Sequence, residues 1–118
     1  MTSDYISEHF REAEFACNHC GKLHEDGVPD ELLELLERVR AQFGRPVNVN
    51  SGYRCPIHNT NCGGARSSQH LLGNAADIWI NGVGPADVYM FLDPIVTGGL
   101  GSYPTFTHVD VRRNKARW

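Results

Sequence analysis

Two short segments, well separated in the chain, carry the residues that most constrain how it can fold. The first offers His70 and Asp77, and the second offers His108 and Asp110. Two imidazoles and one carboxylate, with a fourth position left for water, are typical of a catalytic zinc site, whereas structural zinc sites are usually closed by four Cys or His ligands. The chain must therefore bring these distant side chains together, and the open ligand set points to hydrolysis.

The spacing within the first segment predicts a turn followed by a strand. His70 and Asp77 are too far apart to lie on one helical turn, and Gly73 between them allows the backbone to reverse. Residues 75–80 are typical of a buried strand, with two alanines that permit close approach near the metal. We therefore expect His70 on a loop and Asp77 on a strand.

The second segment predicts another strand, over residues 106–111. Because side chains alternate across a sheet, His108 and Asp110 face the same side, and Phe106 shares that side further from the site. One ligand from a loop and one from each of two strands can then converge, with a second carboxylate beside them.

Three motifs occur in a fixed order along the chain. They are Ser51-Gly-Tyr-Arg54-Cys-Pro, Ser68-x-His70-x-x-Gly73-x-Ala-x-Asp77, and His108-x-Asp110-x-Arg112. With this ordered set the chain resembles the M15 peptidase family, the zinc D-Ala-D-Ala carboxypeptidase-like group, and in particular its small phage and prophage endolysin-type branch. The resemblance runs from about Phe10 to Trp118.

The resemblance implies a zinc-dependent peptidase that acts on the stem peptides of peptidoglycan. It implies one catalytic Zn²⁺ ion on His70, Asp77 and His108, and a cation at Arg54 that binds substrate or stabilises the transition state. A D,D-carboxypeptidase and an L-Ala-D-Glu-type endopeptidase both fit such a centre. The alternatives are a non-catalytic zinc module that binds wall peptides or a protein partner, and a zinc-ribbon-like domain built on the cysteines.

The catalytic base is the point at which the chain departs from the family pattern. Several branches carry a carboxylate three residues before the last zinc histidine, and here that position is Thr105. Asp110 is the nearest carboxylate on the face of His108 and is our candidate for the base. Its rival role is a hydrogen bond to a ligand imidazole that fixes the tautomer. Asp93 and Asp87 are the next candidates.

Three further residues are candidates for substrate contact. The guanidinium of Arg54 keeps its charge and its fork fits a carboxylate or a developing oxyanion, although Arg54 could equally form a structural ion pair near a turn. Ser68 and Gln69 could bind substrate, or could order the loop that presents His70.

The expected fold is a small α+β domain spanning residues 1–118, with a central antiparallel sheet, flanking helices and the zinc site on the sheet, as in hedgehog and D-Ala-D-Ala-peptidase-like proteins. The clearest helix covers residues 29–43, where acids fill the first turn and Gly44 ends the helix. Its predicted buried stripe consists of Leu32, Leu36, Val39 and Phe43. The remaining elements are helices over residues 55–61 and 85–92 and strands over residues 47–50 and 98–103.

Four cysteines allow three interpretations. Cys17 and Cys20 have zinc-knuckle spacing, but Cys55 and Cys62 are too far apart to form the usual second half. Disulfides, reduced thiols and a structural metal site completed by His19 or His24 all remain open, because spacing does not fix connectivity.

Charge and hydropathy exclude several functions. The net charge of −3 and the absence of a recognisable module argue against nucleic-acid binding. No run approaches the ~18 apolar residues of a membrane span, and the first ten residues lack the features of a secretory signal. We therefore expect a monomer made in the cytoplasm that reaches the periplasm or cell wall by another route, such as holin-dependent release. The basic cluster of Arg112, Arg113, Lys115 and Arg117 is interpreted as a solvated strand end rather than as a surface for anionic wall polymer.

Overall fold

The computed structural model describes residues 5–61 and 69–118, without the side chains of His58 and Asn61. Ten elements follow one another in these ranges. In chain order they are a 3₁₀-helix at Glu12–Phe15, α1 at Asp30–Phe43, β1 at Asn48–Ser51, α2 at Pro56–Asn61, a 3₁₀-helix at Gln69–Leu72, β2 at Ala75–Trp79, α3 at Pro85–Leu92, β3 at Gly99–Ser102, β4 at Thr107–Asp110 and β5 at Ala116–Arg117.

Helix α1 forms where the sequence predicts it. It follows Pro29, carries two acids in its first turn, and ends at Gly44, whose φ of 63° is the left-handed conformation that glycine adopts most easily. Its buried residues are Leu32, Leu33, Leu36 and Val39. Phe43, the last member of the predicted buried stripe, is only partly buried: it packs against the edge of the core and makes a T-shaped contact with Phe91.

Helix α3 has the predicted bounds. Proline occupies its first turn, where a missing N–H costs nothing, and the apolar residues that follow bury Val88 and Leu92. Across residues 5–61 and 69–118, no helix combines the length and the apolar character needed to cross a membrane.

The strands form one sheet in the order β1-β2-β4-β3-β5. The four longer strands pair antiparallel, as expected, but β5 pairs parallel with β3, so the sheet is mixed. Sequence reasoning missed β5 because it is two residues long and sits in the basic cluster. Its Arg117 is not simply solvated: the guanidinium donates to the carbonyls of Val96 and Gly98 and pairs with Asp93.

The two faces of the sheet have different roles. Ile78 and Val109 belong to the hydrophobic core together with residues of α1 and α3. Because neighbouring side chains on a strand point to opposite faces, Asp77, His108 and Asp110 lie on the other face. Helices α1 and α3 therefore cover one face of the sheet. The opposite face, termed the open face, carries the polar residues.

Candidate active site

Three predicted metal ligands meet on the open face of the sheet. His70 lies on the 3₁₀-helix Gln69–Leu72 rather than on the predicted loop, Asp77 lies on β2 and His108 on β4, and all three are buried. Asp77 Oδ1 is 3.2 Å from His70 Nε2 and 2.9 Å from His108 Nδ1. Gly73 makes the turn between His70 and Asp77 with a φ of 72°, as its position in the sequence predicts.

Hydrogen bonds on the outer ring nitrogens select the tautomers of both histidines. His70 Nδ1 lies 2.7 Å from the carbonyl oxygen of Gly52, so that nitrogen carries the proton and donates it. His108 Nε2 lies 2.7 Å from Asp110 Oδ2 and donates in the same way. When a cation is bound, the lone pairs of His70 Nε2 and His108 Nδ1 are therefore available to it, which is the arrangement of metal-binding histidines. Without a cation, the same two nitrogens are hydrogen-bond partners of Asp77.

The cluster fits a zinc ion. One atom from each of His70, Asp77 and His108 lies within 4.8 Å of the other two. Ligand atoms about 2.0 Å from a tetrahedral zinc are about 3.3 Å apart, close to the 3.2 Å and 2.9 Å between the histidine nitrogens and Asp77 Oδ1. Two imidazoles and one carboxylate also leave a fourth position for water or substrate.

The cluster favours an ionised carboxylate at its centre. Burial raises the pKa of Asp77, but the hydrogen bonds from His108 and His70 outweigh burial and lower the pKa to about 2. Burial lowers the pKa of His108, yet the two carboxylates that face its ring, Asp110 and Asp77, raise it above its ordinary value. A divalent cation bound between these groups would supply the positive charge that the hydrogen-bonded protons supply in its absence.

Asp110 is placed differently from what its predicted role as a base requires. Its side chain has no exposed surface. Both carboxylate oxygens accept hydrogen bonds from the guanidinium of Arg112, at distances of 2.7–3.1 Å, and Oδ1 also accepts the backbone N–H of Gly99. Burial raises the pKa of Asp110, but the bonds from His108 and Arg112 lower it far below the usual range. This geometry favours the rival role, in which Asp110 orients His108 and holds its tautomer.

Arg112 ends the third sequence motif, but its contact with Asp110 was missed because the side chain was interpreted as part of a solvated basic cluster. In the structure it forms an ion pair with Asp110, and its side chain is 28% exposed. The signal was present in the sequence, because Arg112 follows Asp110 by two residues and residues so spaced on an extended chain share a face.

An aromatic group beside His108 was also missed. The ring of Trp118 lies 5.1 Å from the ring of His108 and packs against Gly101, where a Cβ would meet its indole atoms at 2.5 Å. Trp118 Nε1 donates to the hydroxyl of Tyr103, and Tyr103 stacks on Phe106 at 4.4 Å. These rings form a partly exposed wall next to one of the candidate ligands.

Substrate contact by Arg54, Ser68 and Gln69 stays a prediction, and the structure describes the positions of two of these residues. Arg54 lies at the cluster, where its Nη2 donates to Asp77 Oδ2 at 3.2 Å and its Nε donates to Ser51 Oγ at 3.0 Å. Gln69 immediately precedes His70 and is half-buried. Ser68 lies outside the described residues.

The two reserve candidates for the base lie in other contacts. Asp93 forms an ion pair with Arg117 at 2.8 Å. Asp87 is exposed in the first turn of α3, where its N–H bonds to the carbonyl of Gly84. Among residues 5–61 and 69–118, the carboxylates with hydrogen bonds to the candidate ligands His70 and His108 are Asp77 and Asp110.

Comparison with protein families identifies the class to which this fold and site belong. A family model described as Peptidase M15 matches residues 8–110, which include all three candidate ligands and Asp110. The chain therefore belongs to the Peptidase M15 family, as the sequence motifs predict.

Curated relatives support the same family. Over 44 residues the chain is 43% identical to the zinc D-Ala-D-Ala carboxypeptidase of Streptomyces albus G, a match that covers 36% of this chain and 17% of the relative. Over 88 residues it is 32% identical to the peptidoglycan L,D-endopeptidase MepK of Escherichia coli K12 and of Shigella flexneri, covering 67% of this chain and 48% of each relative. The chain thus spans less than half the length of the relatives that it matches. The expected zinc cofactor agrees with the name of the first relative and with the donor set of the cluster.

Proposed function

We propose that this chain is a zinc-dependent peptidase that hydrolyses peptide bonds in the stem peptides of peptidoglycan. Family membership gives the reaction class, and the relatives named for a carboxypeptidase and for a peptidoglycan endopeptidase give the substrate class. Such a substrate implies that the protein acts in the cell wall. Both a D,D-carboxypeptidase and an L-Ala-D-Glu-type endopeptidase are consistent with the proposal.

The observation that carries the proposal is that three donor atoms face one another. His70 Nε2, Asp77 Oδ1 and His108 Nδ1 face one another, and the outer nitrogens of both rings are engaged by Gly52 and Asp110. Such a set is arranged for binding a cation. A zinc ion held by His70, Asp77 and His108 would lower the pKa of a bound water to about 7 and would polarise the carbonyl of the scissile bond.

The residues around the ligands have distinct proposed roles. Arg54 keeps the second oxygen of Asp77 in place through its 3.2 Å contact, and its charge attracts the carboxylate-rich substrate. Asp110 holds His108 and is itself held by Arg112, so that the ring cannot rotate away from the centre. The ring of Trp118 beside His108 offers an apolar surface against which a substrate side chain can pack.

A non-catalytic zinc module that binds wall peptides is the second candidate. The observation in its favour is the loss of the expected base: Thr105 occupies the family position, and Asp110 is buried against Arg112. In the peptidase, a water molecule or a substrate carboxylate must accept the proton that a carboxylate takes in other branches. Turnover therefore separates the two candidates.

The decisive experiment is digestion of purified sacculi and of defined muropeptides, followed by mass spectrometry. The peptidase releases products whose masses identify the cleaved bond, and chelation followed by zinc addition removes and restores the activity. His70→Ala is the matched inactive control. Stoichiometric zinc binding and muropeptide binding without any new product would reject the peptidase and establish the binding module.

A further inference from the structure

A second group of metal-ligating side chains lies at the amino-terminal end of the structure. The side chains of Cys17, Cys20 and Cys55 bring their sulfur atoms within 4.8 Å of one another, although Cys55 is 38 residues from Cys17. Cys17 is buried, Cys55 is half-buried and Cys20 is exposed. None of them belongs to the proposed catalytic centre.

The turn that presents the first two sulfurs has a tight backbone geometry. The N–H of Gly21 donates to the carbonyl of Cys17 at 2.7 Å, and the N–H of Cys17 donates to the carbonyl of Lys22 at 2.8 Å. Gly21 has a φ of 72°, which other residues rarely adopt. A Cys-x-x-Cys pair on such a turn has the spacing of half a structural zinc site.

The surroundings of Cys17 stabilise a thiolate. The backbone N–H of Cys55 points at Cys17 Sγ from 3.4 Å. A backbone N–H directed at a sulfur atom stabilises negative charge on it, and thiolate is the form of cysteine that binds metals.

His19 offers a further donor atom close to the three sulfur atoms. Its Nδ1 lies 3.6 Å from Cys55 Sγ. A sulfur at about 2.3 Å and a nitrogen at about 2.0 Å from one tetrahedral zinc are about 3.5 Å apart. His19 is not among the three residues whose ligand atoms lie within 4.8 Å of one another, so its exposed side chain must rotate to become the fourth ligand.

We propose that Cys17, Cys20, Cys55 and His19 bind a structural zinc ion, separate from the catalytic one. Three thiolates and one imidazole close the coordination sphere, as is usual for structural zinc, whereas the cluster on the sheet leaves one position open.

The position of this site indicates what the ion would do. The N–H of Tyr53 donates to the carbonyl of Phe15 at 2.9 Å, and Asn18 Nδ2 donates to the carbonyl of Asn50 at 2.9 Å, so the segment before Cys20 lies along the loop after β1. That loop contains Gly52, whose carbonyl accepts the hydrogen bond from His70.

Gly52 also shows how closely the two segments pack. A Cβ at Gly52 would meet the backbone of Phe15 at 2.7 Å. A metal ion at the cysteines would therefore clamp the amino-terminal segment against the loop that supports His70 and carries Arg54. This consequence rests on the proposed function, but zinc binding by the cysteines does not.

Metal analysis of protein purified under reducing conditions tests the proposal. The wild-type chain should hold two zinc ions. Cys20→Ser, His19→Ala and His70→Ala should each lower occupancy toward one, and Cys20→Ser combined with His70→Ala should hold none. Because Cys20 and His19 are exposed, their replacement leaves the core intact, which circular dichroism checks. Cys62→Ser tests the remaining cysteine: both ions retained supports His19 as the fourth ligand, and occupancy falling toward one would overturn that assignment.

Cobalt substitution identifies which site is lost. His70→Ala loaded with Co²⁺ should keep the thiolate-to-metal charge-transfer bands of the cysteine site, and Cys20→Ser should lack them. A single zinc ion in the wild type that is lost in His70→Ala, or no charge-transfer band in the cobalt-loaded His70→Ala protein, would overturn the proposal. An intact mass two hydrogens low, with a Cys17–Cys55 peptide, would replace it with a disulfide. Two ions in His19→Ala would overturn the assignment of the fourth ligand.

Discussion

Asp77 and His108 are direct cross-strand partners on β2 and β4, and their side chains meet at 2.9 Å between Oδ1 and Nδ1. Directly opposite residues of an antiparallel pair have their Cβ atoms about 5 Å apart, so the backbone register alone brings a carboxylate and an imidazole within reach of one ion. His70 then has only to approach from the adjoining 3₁₀-helix. The rigidity of the candidate centre comes from the sheet.

Replacement of His70 tests the metal assignment. His70→Ala removes one of three ligands from the sheet cluster, so zinc at this site should be lost. At zinc concentrations of about 100–1,000 times Kd, bound metal stabilises the folded state by about 3–4 kcal/mol, and the variant should lose that stabilisation. Elemental analysis and thermal unfolding with and without chelator measure both effects. Full occupancy of an unaltered sheet site in His70→Ala would disprove the assignment.

Replacement of Asp110 separates a base from a positioning residue. Asp110→Asn weakens the contact with His108, so zinc affinity should fall about 10–100-fold, and activity should be recoverable at high zinc. If Asp110 were instead the catalytic base, Asp110→Asn would keep its zinc affinity. Its turnover at saturating zinc would be at least about a hundredfold lower than that of the wild type. Asp93→Asn is the matched control, because Asp93 also pairs with an arginine. Competition with a chromophoric chelator measures the affinity.

Arg54→Lys keeps the charge at the cluster but removes the fork that reaches Asp77 and Ser51. Loss of one charge-assisted hydrogen bond is worth about 1.5–3 kcal/mol, so kcat/KM on muropeptides should fall at least about tenfold. The melting temperature should change little, and Arg38→Lys on the exposed face of α1 is the control. A large loss of stability with normal activity per folded molecule would make Arg54 a structural residue.

The ring of Trp118 should contribute to substrate binding. Gly101→Ala places a methyl group against the indole and should displace it, so this variant and Trp118→Ala should raise KM by about fivefold, equivalent to about 1 kcal/mol of aromatic contact. Zinc content should stay unchanged in both. Gly84→Ala is the control, since the nearest atom to its new Cβ is 3.9 Å away. Unchanged KM in both test variants would remove Trp118 from the substrate site.

Ionisation of Glu37 should make the free energy of unfolding depend on pH in the acidic range. Burial raises the pKa of Glu37, but the hydrogen bonds from Ser7 and His9 outweigh burial and lower it. The stabilisation is therefore complete above the unfolded pKa of about 4.3 and is lost as pH falls through the lower folded pKa. In urea unfolding, Glu37→Gln should be less stable than wild type at pH 7 and nearly equal to it in strong acid. Glu34→Gln, on the exposed face of α1, should show no such change.

The sequence by itself determined where most elements begin and end and which residues could bind a metal. Gly44 ends α1 because it adopts a positive φ, Pro85 begins α3, and the alternation around His108 puts it on the face opposite Val109. These features depend on local conformation and on side-chain period, which can be deduced from the order of residues.

Only the tertiary structure decided the contacts of each residue at the cluster. Asp110 and Arg112 look like a free base and a solvated charge in the sequence, yet Asp110 is buried behind His108 and pairs there with the partly exposed Arg112. The short parallel strand β5, the position of Trp118 and the meeting of Cys17 with Cys55 were likewise not predicted. The physical reason is that burial and long-range contacts set the charge, orientation and partners of a side chain, and these are properties of the packed chain.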